Sequence, residues 1–91
     1  MDDSIHFSKS CALAVGNMLG INWNKISFNE FYMGINIELE HGSRYWYITN
    51  VTNNDPVTTG RIALAHLFEI SDYYTRLEKM ESDAEKKKKK H

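Results

Sequence analysis

Two short pairs of glutamate and histidine are the places in this chain where residue type and spacing together suggest coordination chemistry. Glu38-Leu39-Glu40-His41 contains Glu-x-x-His, and His66-Leu67-Phe68-Glu69 contains the reverse order. Residues three apart share a helical face, so each pair sets a carboxylate beside an imidazole, as helical bundles do when they hold iron, manganese or zinc. A site made of Glu38, His41, His66 and Glu69 would take a first-row divalent metal as its cofactor. It needs the end of one helix to lie beside the second half of another. A di-metal site would need further carboxylates, and Asp72 is the one nearby spare. Plainer roles stand beside this one. A histidine in a last helical turn suits the helix dipole, and one on an apolar helix serves as a hydrogen-bonded core residue.

The second feature is electrostatic. Lys86, Lys87, Lys88, Lys89 and Lys90 make up five of the eleven basic residues, and without them six basic residues face twelve acidic ones, a body of −6. Adjacent ammonium groups meet phosphates without sequence preference, so DNA or another nucleic acid is the expected partner of this run, with Arg44 beside Tyr45-Trp46-Tyr47 in support. An acidic body argues against a duplex lying flat on the fold. A solubilising tail, or part of an expression tag given His91, accounts for the same lysines. Hydrolytic chemistry has little to build on, because the chain has no Gly-x-Ser-x-Gly elbow, no phosphate-binding glycine loop and no paired cysteines. Cys11 reads as a small thiol on an apolar stripe, and Tyr73-Tyr74 as packing aromatics.

Four helices would have to position these groups, near residues 8–19, 27–41, 55–69 and 71–86. Ser8 caps the first, and Gly20 stops it with a left-handed residue. Ser27 and Glu30 form a capping box at the second, Ile26 and Phe31 a hydrophobic staple, and Gly42 a left-handed stop. Because Phe28, Phe31, Tyr32, Ile35 and Leu39 line one side of this helix while Met33 and Ile37 line the other, it belongs at the centre. Residues 45–48 suit a short extended segment, and the Asn50-Val51-Thr52 acceptor pattern reads as turn chemistry. Asp55 caps the third helix with Pro56 at its first position, and Ile62 to Phe68 are apolar on nearly every side, as in a buried helix. The fourth is capped by Ser71 or its neighbour, places Tyr73, Leu77, Met80 and Ala84 on one stripe, and pairs Asp72 with Arg76. Beyond residue 85 lysine repulsion should fray it.

Ninety-one residues suffice for one modest core, so the expectation is an all-α fold, a compact bundle of about four helices. Residues 1–85 would form the single domain and 86–91 the basic tail. No stretch approaches the ~20 apolar residues of a membrane span and no signal peptide is visible, which leads to an intracellular protein.

Several stretches together resemble a known family: Leu19-Gly20-Ile21-Asn22-Trp23, Met33-Gly34 with Glu38-Leu39-Glu40-His41-Gly42, Thr49-Asn50-Val51-Thr52 with Asp55-Pro56, Ile62-Ala63-Leu64-Ala65-His66-Leu67, and Asp72-Tyr73-Tyr74-Thr75-Arg76-Leu77. The chain is similar across most of its length to domain of unknown function 5661, short proteins of bacteria, phages and large DNA viruses. A proline usual in that family at the position of Ser71 implies a helix break there, and its connection is shorter and more polar where this chain has Tyr45-Trp46-Tyr47. The resemblance implies a fold and no activity; a viral source would allow a place in the virion. By elimination and electrostatics the chain reads as a non-enzymatic accessory protein bound to nucleic acid through its lysines, with the body meeting a protein partner, and the metal protein as the alternative.

Overall fold

The computed structural model describes residues 6–42, 50 and 52–89, and among these the architecture is all-α with no strand. Helix α1 spans Lys9–Met18, α2 Phe28–Ile37, α3 Pro56–Glu69 and α4 Tyr73–Lys89, with a 3-10 turn Glu38–His41 continuing α2. The extended segment expected at residues 45–48, and Arg44, lie outside the described residues. No helix among the described residues is long and apolar enough to cross a membrane.

Local signals set most of the helix ends. Ser8 accepts the Cys11 amide at 3.1 Å and Asp55 the Thr58 amide at 2.8 Å, with Pro56 opening α3. Gly20, at φ +76°, lets the Ile21 amide reach the Gly16 carbonyl and its own amide the Asn17 carbonyl, the paired bonds of a Schellman stop. The stop of α2 differs from expectation: Gly42 has φ −103°, and the last turn tightens into the 3-10 segment instead of ending on a left-handed residue. Before α3, Asn50 and Thr52 side chains accept the Asn53 and Asn54 amides, holding both asparagines at positive φ.

Helices α2 and α3 form the centre, α2 packing against α1, α3 and α4. Phe31, Ile35 and Leu39 are wholly buried, and Trp23 closes the core from above, its indole edge-on to Phe28 and Phe31 and its Nε1 donating to Asn17 Oδ1 at 2.9 Å. Each wholly buried large side chain contributes about 1.5–3 kcal/mol of apolar burial.

Two expected faces are corrected. Helix α3 buries Thr59, Gly60, Ala63 and Leu67, while Phe68 is 73% exposed, because only the sides that meet α1, α2 and α4 find a partner. On α4 the anchor is Tyr74, wholly buried; Tyr73 and Leu77 are half-buried and Met80 and Ala84 are exposed, so α4 is rotated relative to the expected stripe. From Glu78 through Lys86 every α4 residue is exposed, and the helix continues to Lys89, three residues past the expected end, where lysines suit the negative pole of the helix dipole.

Candidate functional site

Among the described residues, a dense group of polar contacts lies along one face of α2. Glu30, Gly34 and Glu38 are spaced four apart, so they stack in a row, and Tyr74 of α4 lies across all three. Glu30 Oε1 accepts the Tyr74 amide at 3.1 Å and the Thr75 amide at 3.3 Å, and Glu30 Oε2 accepts the Thr75 hydroxyl. Gly34 leaves room for the ring: a Cβ at this position would overlap the Tyr74 phenol. At the far end the phenol donates to Glu38 Oε2 at 2.6 Å.

This corrects the expected capping of two helices. Ser27 does accept the Glu30 amide, at 3.2 Å, but the Glu30 carboxylate turns away from its own helix and caps α4 from 44 residues away. Ser71 and Asp72 do not fill that role, since Asp72 Oδ1 instead pairs with Arg76 Nε at 2.7 Å. A carboxylate aimed at the first-turn amides of α4 satisfies two donors that no intrahelical carbonyl can reach and places negative charge at the positive pole of the dipole. No local pattern announces such a partner. The isolated glycine inside an apolar helix was the one available signal, because a mid-helix glycine commonly marks a close approach.

His66 of α3 completes the cluster. Its Nε2 lies 3.6 Å from Glu38 Oε2, its ring stacks on Tyr73 at 4.4 Å between centroids and 5° between planes, and it meets Tyr74 edge-on. The Glu38 side chain is 4% exposed and that of His66 36%, so the imidazole stands between solvent and a buried carboxylate. The phenol supplies a hydrogen bond of the kind a buried acid needs in an apolar core, and the imidazole stands close to the same carboxylate oxygen.

Of the expected metal set, the fold therefore brings Glu38 and His66 together. Glu69 is exposed, and the His41 imidazole lies outside the described side chains. Among the described residues no group of three or more His, Cys, Asp or Glu side chains is arranged to hold a metal ion. Of the expected nucleic-acid set, Lys86 is exposed on α4. Lys87, Lys88 and Lys89 continue that helix with their side chains outside the description, and Lys90, like Arg44, lies outside the described residues. Cys11 is half-buried on α1.

No curated protein and no solved structure matches the chain. A family model described as Protein of unknown function (DUF5661) matches residues 12–83, a span that contains Glu30, Gly34, Glu38, His66, Tyr73 and Tyr74 and stops short of the lysine run. With most of its length matched, from the middle of α1 through the greater part of α4, the chain belongs to the DUF5661 family.

Proposed function

We propose that the protein is a non-enzymatic accessory factor that associates with nucleic acid without sequence preference, its lysine-bearing helix end supplying the affinity and the helical body acting as a protein-binding or spacer module. The observation that carries this reading is the course of α4, which leaves the packed body at Leu77 and presents only exposed residues from Glu78 to Lys86 on its way into the lysines. Cationic groups held at a distance from an acidic body reach phosphates while the body's charge keeps the duplex off the rest of the surface. Because the family match ends at residue 83, the reading rests on the electrostatics of this chain.

The test is a pair of gel shifts on duplex DNA at two salt concentrations, full chain against a chain lacking residues 86–91. Five phosphate contacts set a log-log salt slope of at most about −4.5, with near-complete loss of binding on removal of the run. Equal binding by both chains would move the contact to the body, where Arg61 and Arg44 are the first residues to substitute. Absence of binding by either refutes the nucleic-acid reading and leaves the run as a solubilising tail. A second reading, a first-row metal at Glu38 and His66, draws support from their 3.6 Å approach, although Tyr74 already donates to the same carboxylate oxygen. Elemental analysis of untagged protein tests it.

A further inference from the structure

The apolar surface between the α1 to α2 connection and the end of α3 has no role in the chemistry above. It is a groove of about 520 Å³ with walls that include Leu19, Ile21 and Leu64, and the charged residues lining it are Lys25 and Glu69, one of each sign. Phe68 also lines this groove, yet it is 73% exposed, and neighbouring Ile70 is 43% exposed. Phe68 falls outside the buried residues of α3, so most of its ring is left unused by the packing of the monomer.

We propose that this face is a homodimer interface in which Phe68 of each copy enters the groove of the other. A two-fold interface must be self-complementary, with knob and hole on the same patch, and here an exposed aromatic stands at the edge of an apolar groove. The rim meets the same demand. A two-fold axis passing between Lys25 and Glu69 would set Lys25 of one copy against Glu69 of the second, and the pair would occur twice. A strongly charged foreign peptide would find a rim whose two charges cancel, offering no attraction to either sign, whereas a second copy brings both the aromatic and the matching charges. Aromatic side chains in apolar pockets are the residues that dominate association energy, so a patch of this modest size supports a weak, reversible dimer. The interface lies apart from the lysine run and does not depend on the nucleic-acid reading.

Sedimentation velocity of the full chain, from about 5 to about 500 µM as suits small interfaces, is expected to show a monomer–dimer equilibrium. Phe68→Ala, with its helical circular dichroism unchanged, should lower the association constant about a thousand-fold, since an anchor worth about 30-fold is used twice. Lys25→Glu and Glu69→Lys should each weaken the dimer, and the double variant should restore it. A chain that stays monomeric throughout the range, a Phe68→Ala chain that associates as before, or a double variant no better than the singles would overturn the proposal. Should Phe68→Ala unfold, the charge exchange still decides.

Discussion

Replacing Glu30 by alanine removes the acceptor of two first-turn amides of α4 and of the Thr75 hydroxyl in one step. Loss of an N-cap costs typically about 1 and up to about 2 kcal/mol, and hydrogen bonds to a charged acceptor contribute about 1.5–3 kcal/mol each, without adding fully because they share one carboxylate. Glu30 is only 8% exposed, so water replaces these bonds poorly, and a net loss of about 3 kcal/mol follows. At about 4–8 °C per kcal/mol for a domain of this size, the melting temperature should fall by about 12–24 °C. The chain should still fold, since a 91-residue domain holds on the order of 5–13 kcal/mol. Glu30→Gln keeps one carbonyl acceptor without the charge and should lose about 1–2 kcal/mol. Urea unfolding followed by circular dichroism measures both variants, and amide hydrogen exchange locates the loss. In Glu30→Ala the Tyr74 and Thr75 amides should exchange at least about tenfold faster, because the first turn of α4 has lost its tie to α2. If instead protection is lost at the Ser27 amide while Tyr74 and Thr75 are unchanged, Glu30 serves its own helix as a capping box and the reasoning fails. A stability change below about 0.5 kcal/mol would refute it as well.

Gly34→Ala pits helix propensity, which favours alanine by about 1 kcal/mol, against the overlap of a new Cβ with the buried Tyr74 ring. Overlap wins, and urea unfolding should show a net loss of at least about 2 kcal/mol. Tyr74→Phe removes the 2.6 Å bond to Glu38 and should cost about 1–3 kcal/mol in the same assay. The Thr58 amide, and then its hydroxyl, hold the Asp55 carboxyl below its ordinary value of 3.8. A carboxyl depressed on folding stabilises the protein above its unfolded pKa and loses that contribution as pH falls through the lower folded value. The stability difference between the parent and Asp55→Ser should therefore shift against the parent below about pH 3.8 and stay constant above about pH 5, as read from denaturation at a series of pH values.

Several features were legible in the amino-acid sequence because they are settled within a few residues. Ser8, Ser27 and Asp55 cap helices through bonds to amides three positions ahead, Gly20 supplies a left-handed stop, and Asp72 meets Arg76 one turn away. The two-sided apolar pattern of α2 likewise determined its central place, since a helix with two apolar sides needs neighbours on both. Tertiary structure decided the rest. Whether the Glu30 carboxylate turns back to its own helix or across to α4 depends on where Tyr74 lands, and that depends on the absence of a side chain at Gly34. Glu38 and His66 each belonged to a plausible local pair, with His41 and with Glu69. The crossing of the 3-10 turn with α3 joins them to each other instead and adds Tyr74, a phenol that no spacing rule connects to either. Phe68 follows the same logic in reverse: α3 is apolar on several sides in sequence, but a helix buries only the sides that meet a neighbour, and packing against α1, α2 and α4 leaves this ring in the open.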